Sequence, residues 1–189
     1  MTRFALPRNR TRIAALGAAL LIATAAAGTA VASDDAGGRH NRPQREAASL
    51  TGTGKLYRSA GDDIHFTFDA HLDAKDQMAP DKAHGTFRFS HYLHGKGASA
   101  EGRIDCLVTG GKVAVATGVI TKSDLDGSVG KRVGFTVDDR GRHGDRLGYS
   151  WAATGSPRDT NDLPKCVSSA PFEKVESGDF TVVPWEPKL

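Results

Sequence analysis

Along Ile64-His65-Phe66-Thr67-Phe68-Asp69-Ala70-His71 every second residue is apolar. In an extended chain Ile64, Phe66, Phe68 and Ala70 therefore share one face, and His65, Thr67, Asp69 and His71 the other. Thr86-Phe87-Arg88-Phe89-Ser90-His91-Tyr92 repeats the pattern, with Phe87 and Phe89 on the apolar side. Comparable runs recur between turn-forming clusters and predict strands over 50–58, 63–72, 85–94, 102–109, 112–121, 131–138, 147–153 and 172–183. Turns fall at Asp62-Asp63, Gly95-Lys96-Gly97, Asp124-Leu125-Asp126-Gly127, Arg140-Gly141-Arg142-His143-Gly144 and 157–162. The 22 glycines leave no long stripe of helical period, and only 76–83 and 123–128 have room for a helical turn each. The predicted fold is all-β, an antiparallel β-sandwich or small barrel of about eight strands in a single domain with one disulfide. The phenylalanines at 66, 68, 87 and 89 point inward, and burial of such side chains contributes about 1.5–3 kcal/mol each.

A central hairpin organises the rest. Ile104-Asp105-Cys106-Leu107-Val108-Thr109 and Lys112-Val113-Ala114-Val115-Ala116-Thr117 flank Gly110-Gly111, two residues that accept positive φ. With those glycines as the turn, Val108 faces Val113, Cys106 faces Val115 and Ile104 faces Thr117 on the core side. Asp105, Leu107, Ala114 and Ala116 then share a half-wet outer side. Lys112 and Asp105 select this register, because a one-residue slip sends every side chain to the opposite face. It predicts that Val115→Asp prevents folding and that Ala116→Asp costs much less.

The first residues have a different character. Arg3, Arg8, Arg10 and Arg12 precede an apolar run from Ile13 to Ile22 and a small-residue stretch with Ala30-Val31-Ala32 at its end. This predicts a signal peptide over 1–32, cleaved between Ala32 and Ser33, rather than an uncleaved anchor, since the second half is Ala, Gly and Thr. There is no adjacent arginine pair and no cysteine at the cleavage point, so the general secretory route is expected. Residues 33–48 hold no large apolar side chain and read as a disordered leader before an all-β domain over 49–189. In that leader Arg39, Arg42 and Arg45 are opposed by Asp34, Asp35 and Glu46.

Cleavage alters the charge. The chain has 25 Lys+Arg against 22 Asp+Glu, a net of +3, and removing four arginines with no acid leaves 21 against 22, a net of −1. The basic excess belongs to targeting, and no net field remains to steer a polyanion, so no nucleic-acid partner is expected. The nearest basic patch, Arg140, Arg142, His143 and Arg146, is diluted by Asp138, Asp139 and Asp145.

Candidate chemistry is sparse. Cys106 and Cys166 are the only cysteines, an even count that reads as a disulfide in an exported chain, with no Cys-x-x-Cys motif to favour a redox or metal pair. His65, Asp69 and His71 lie at even spacing on one strand face and could offer metal ligands, joined by His84, His91 or His94 from the next strand. Polar residues are also what a solvated sheet face requires. Asp138, Asp139 and Asp145 surround a glycine-rich turn and could hold Ca²⁺, but without EF-hand spacing; neither does Asp124-Leu125-Asp126-Gly127 have it. No Gly-x-Ser-x-Gly elbow or His-Glu-x-x-His is present, and Gly52-Thr53-Gly54-Lys55 is followed by Leu56 where a phosphate loop needs Ser or Thr. Asp62-Asp63 marks a turn rather than two carboxylates converging across a cleft.

Several segments together resemble small exported actinobacterial proteins sometimes labelled "repetin". They are Asp62 to His71, Gly85 to Tyr92, Arg103-Ile104-Asp105-Cys106-Leu107, Val129 to Val133, Asp145 to Trp151 and Cys166 to Phe172. The resemblance covers nearly the whole chain after the leader. It implies a secreted protein without an assigned activity and supplies no catalytic residue. The EF-hands and repeats of the animal proteins of that name have no counterpart in this sequence. More loosely, Phe135-Thr136-Val137-Asp138-Asp139 with Gly141 and Asp145 is similar to turns in β-rich accessory domains of secreted bacterial proteins.

The sequence therefore predicts a non-catalytic, secreted or envelope-associated binding or structural module. It is expected to need no cofactor, to be a monomer, and to stay off the membrane after signal cleavage, with an extracellular or cell-envelope ligand that the sequence does not specify. A metal-assisted extracellular hydrolase built on His65, Asp69 and His71 is the second reading. A Ca²⁺-dependent carbohydrate- or protein-binding domain built on Asp138, Asp139 and Asp145 is the third. Convergence of His65, Asp69 and His71 with His91 or His94 in a concave site would favour the hydrolase.

Overall fold

A computed structural model describes residues 46–160 and 162–186. The predicted signal peptide, its cleavage point between Ala32 and Ser33, and the leader to residue 45 lie outside the described residues.

Eight antiparallel strands follow one another around a closed barrel: β1 (Glu46–Leu56), β2 (Asp63–Asp73), β3 (His84–Leu93), β4 (Lys96–Gly110), β5 (Val113–Ser123), β6 (Arg132–Asp138), β7 (Arg146–Tyr149) and β8 (Glu173–Val183). Each strand pairs with its sequence neighbour, and β1 closes the ring on β8 with Leu50 opposite Val182 and Gly52 opposite Phe180. The ring is narrowest at the seam between β7 and β8, which pair at two positions only. No α-helix occurs among the described residues. A single 3₁₀ turn at Pro80–Lys82 falls within the 76–83 span expected to hold one, and another at Ala74–Asp76 ends at its first residue, whereas 123–128 holds the end of β5 followed by bends and a turn.

The period-two reading of β2 and β3 holds. Phe66, Phe68, Phe87 and Phe89 are all buried inside the barrel, with Phe66 opposite Phe89 and Phe68 opposite Phe87. Phe135 sits among them, its ring centroid 5.0 Å from both Phe68 and Phe87, and Phe180 lies 5.5 Å from Phe68. In β2 and β3 the alternation is apolar inside and polar outside. At eight strands the interior is just wide enough for side chains to fill it or to leave room for one small ligand.

Three expectations change. First, β1 begins at Glu46, and Ala48 and Ser49 are buried, so the last residues assigned to a disordered leader belong to the barrel. Small side chains carry little hydrophobic signal, but the β2 ladder pairs Ala48 with Leu72 and Ser49 with His71. Second, the β3–β4 turn is His94-Gly95, with φ of 50° and 75°, so β4 starts at Lys96 and Gly97 is within the ladder. Two successive positive φ values fit a two-residue hairpin turn.

Third, the central hairpin is in the other register. Gly110 pairs with Val113 and the loop is Gly111-Lys112, with positive φ at Gly111 alone. Leu107 therefore faces Ala116, Thr109 faces Ala114, and all four are buried. Val108 and Val113 are exposed, and Val115 is half-buried on the outer side. A β-bulge at Asp105, between Ile104 and Cys106, resets the alternation. Ile104 points inward before it and Leu107 after it, whereas Asp105 and Cys106 belong to the outer side.

Candidate functional site

In an antiparallel meander the ends of β1, β3, β5 and β7 and the starts of β2, β4, β6 and β8 meet at the same mouth. At that mouth a cavity of about 460 Å³ opens. Its walls include Ile64 and Phe66 from β2, Phe89 from β3, Tyr149 at the end of β7, and Trp151 with Pro157 from the connection to β8. The aromatic groups form one cluster, with Phe89 to Trp151 at 4.7 Å, Tyr149 to Trp151 at 4.8 Å and Phe66 to Tyr149 at 5.8 Å between centroids.

Local sequence explains how Trp151 arrives there. β7 is four residues long, and a 3₁₀ turn at Ser150–Ala152 follows directly. The Gly134 N–H donates to Ser150 Oγ at 3.0 Å, which pins that turn to β6. Further along, the Thr160 hydroxyl contacts the carbonyls of Arg132 and Pro157, both at 2.8 Å. The connection is thereby folded back over the mouth.

Tyr149 is held from behind. Its hydroxyl donates to Glu173 Oε1 at 3.2 Å and accepts from Arg58 Nη2 at 3.4 Å, and Arg58 grips both carboxylate oxygens of Glu173. Burial, with the Glu173 charge beside it, pushes the Tyr149 hydroxyl above its ordinary value, and the hydrogen bond to Glu173 raises that of Arg58. The phenol thus stays neutral and its ring stays fixed against Phe66. At the rim, His91 Nε2 pairs with Asp62 at 2.9 Å, and Ser90, Lys96 and Ser156 complete the polar lining. The opposite mouth has a smaller apolar recess of about 190 Å³ beside Met78, Val108 and Trp185.

His65, His71 and His84 lie along the outer wall, each beside a carboxylate partner. His65 pairs with Asp63 at 2.9 Å and His84 with Asp73 at 3.3 Å. His71 lies between Glu46 on Nδ1 and Asp69 on Nε2, both at 2.8 Å, with its ring stacked 5.9 Å from His84. Burial alone would lower the His71 value, but the bonds to Asp69 and Glu46 prevail and raise it. Hydrogen bonds from His65 and His84 hold Asp63 and Asp73 below the usual carboxylate range. His94 occupies the β3–β4 turn. Among the described residues no three His, Cys, Asp or Glu side chains gather as a metal centre would need.

The acids of the 138–145 segment serve the barrel seam. β8 pairs with β7 only at Glu173 and Lys174, which leaves later N–H groups of β8 without a strand partner on that side. Buried Asp145 accepts from Phe180 N at 2.8 Å and from Arg140 N at 2.9 Å. Asp139 accepts from Val182 N at 3.0 Å and from Lys112 Nζ at 3.1 Å. Burial opposes ionisation of Asp139, but these donors outweigh it and lower its value. Asp138 faces Arg140 at 3.9 Å. The three carboxylates are thus turned to different partners.

Cys106 and Cys166 form a disulfide that fastens the 163–172 segment to the outside of the barrel. Thr117 Oγ1 accepts from Cys166 N at 3.2 Å and donates to Asp105, which is paired with Arg132 at 2.8 Å; Arg132 also donates to Leu163 O. Gly134 and Gly148 lie beneath this strap, where a Cβ would come within 2.1 Å of Val167 O and 2.0 Å of Ala170 O respectively.

In comparison with known proteins, no family model, curated protein or solved structure matches this chain. Of the cavity residues, the sequence reading had singled out Phe66 and Phe89 as core and His91 as a ligand candidate, but missed Tyr149, Trp151 and Lys96. The available signal was Tyr149-Ser150-Trp151, two large aromatics at the abrupt end of a strand, just before a Gly-Ser-Pro segment.

Proposed function

We propose that this protein is a non-catalytic binding module that takes a small, mainly apolar, ring-containing molecule in the Trp151 mouth. The observation that carries this reading is the cavity itself, a concave space of ligand size at one end of a barrel otherwise filled by its own side chains. Ligand pockets generally range over about 300–1,000 Å³ and combine aromatic walls with a few polar groups. Here Phe89 and Trp151 supply ring faces, and His91, Lys96 and Ser156 supply polar groups. Tyr149 is locked by Arg58 and Glu173, so ligand entry need not order it, which limits the entropy cost of binding. A secreted or envelope setting suits a disulfide-fastened fold, because disulfides persist in oxidising compartments.

The two tryptophans provide the test. In a Trp185→Phe protein, Trp151 is the only indole and sits in the cavity wall. Titration with the neutral dye N-phenyl-1-naphthylamine should quench Trp151 emission saturably at one site per chain, and Trp151→Ala should weaken dye binding while the barrel still melts cooperatively. Emission that changes only linearly with dye, with no saturation, would refute the reading.

A further inference from the structure

We infer that the molecule taken by the Trp151 mouth carries a negative charge, and that its class is a small aromatic carboxylate whose acid group is met by Lys96. This rests on the binding reading above and specifies its ligand.

The argument starts from the charge inventory of the cavity. No Asp or Glu contributes to its lining; the charge-bearing side chains there are Lys96 and the titratable His91. Three acids close by in the fold are already engaged. Asp62 pairs with His91 at 2.9 Å. Asp124 accepts from Ser99 N, from Ser99 Oγ at 3.2 Å and from the Tyr92 hydroxyl at 3.4 Å. Glu173, behind Tyr149, is spent on Arg58.

Lys96 differs from these groups. It is the first residue of β4, directly after the His94-Gly95 turn and opposite Leu93, so the hairpin places it at the rim. It has neither an ion pair nor a side-chain hydrogen bond among the described residues, whereas Arg58, Arg88 and Lys122 each have a carboxylate partner. Ring surface at the floor and an unopposed cation at the rim match a flat ring bearing a carboxylate. A cationic ligand would meet Lys96 with no acid in the lining to offset the repulsion.

The test compares isosteres. For wild-type protein, 2-naphthoate and its neutral amide, 2-naphthamide, are titrated against tryptophan emission at low ionic strength. An exposed ion pair contributes up to about 1 kcal/mol, so the carboxylate should bind about fivefold more tightly than the amide. The preference should shrink in 0.5 M NaCl, as screening predicts. Lys96→Gln should abolish it, bringing the carboxylate to the affinity of the amide, and Lys96→Arg should restore it, which separates loss of charge from loss of fold. Equal or tighter binding of the amide, or a preference that survives Lys96→Gln, would overturn the inference and leave the binding module standing. Failure of both compounds to bind would overturn both.

Discussion

The observed register of the central hairpin makes a sharp prediction about two adjacent residues. Ala116 is fully buried between Leu107 and Phe135, both fully buried as well, whereas Val115 is half-buried on the outer wall beside exposed Val108. An aspartate at 116 would meet no partner inside the barrel. At pH 7 the cheapest response is to hold its carboxyl protonated, which costs about 4 kcal/mol for a group with an ordinary pKa near 3.9. The larger side chain adds overpacking of about 1–3 kcal/mol. Together these consume most or all of a total stability of about 5–15 kcal/mol. At Val115 an aspartate loses strand preference and part of a methyl contact, roughly 1–2 kcal/mol.

The two variants should also differ in their response to acid. In Ala116→Asp the folded-state pKa is raised above the unfolded value, so the folded state binds the proton more tightly and stability falls as pH rises through the window above about 4, by up to 1.4 kcal/mol per unit. In Val115→Asp the carboxylate reaches water, and the deficit should be flat with pH. Urea denaturation of both variants at pH 4.5 and pH 7, monitored by tryptophan emission, decides the matter. Equal damage at the two positions, or greater damage from Val115→Asp, would refute the observed register and restore the one expected from the charges of Asp105 and Lys112.

Three further outcomes are expected. Replacing both Cys106 and Cys166 by Ser opens a loop with a sequence separation of 60, worth about 4 kcal/mol in the chain-entropy model, and denaturant midpoints should drop accordingly. Gly134→Ala sets a methyl group against the Val167 carbonyl, so it should lower stability by about 1–3 kcal/mol and speed hydrogen exchange in the strap segment, whereas exchange confined to its wild-type pattern would argue against that close approach. His71 is raised by Asp69 and Glu46, so its contribution is fully present below its ordinary value of about 6.5 and is lost as pH rises through its higher folded-state value. His71→Gln should therefore cost more at pH 5.5 than at pH 8.5, and an equal cost at both would show that the carboxylate contacts do not matter.

Where strands are regular, their faces were legible. β2 and β3 have no bulge between them, and their apolar alternation identified the four inward phenylalanines directly. The hairpin of β4 and β5 misled because size and position run against each other. Inside, opposite the rings of Phe87 and Phe135, there is room only for small groups: Ala114, Ala116 and Gly118 line β5, and a Cβ on Gly102 would come within 2.4 Å of the Phe87 ring. The valines at 108, 113 and 115 are left on the outer wall, where branched side chains suit a pleated surface. Reading large apolar residues as inward reverses that pattern, and the bulge at Asp105 hides the reversal from any count made outward from Ile104.

The cavity was less legible for a different reason. The period of a strand constrains the faces of that strand alone, whereas a mouth belongs to the closed sheet. Trp151 joins Ile64 and Phe89, themselves on paired strands, only once β1 pairs with β8 and the connection after β7 turns back over the opening. Trp151 depends in addition on Ser150 reaching Gly134 N, at a glycine that also lets the strap approach. Local composition there reads as an aromatic residue in a loop. Its position in the site follows from two long-range conditions, sheet closure and a strap seated on glycine, and neither leaves a periodic trace in the chain.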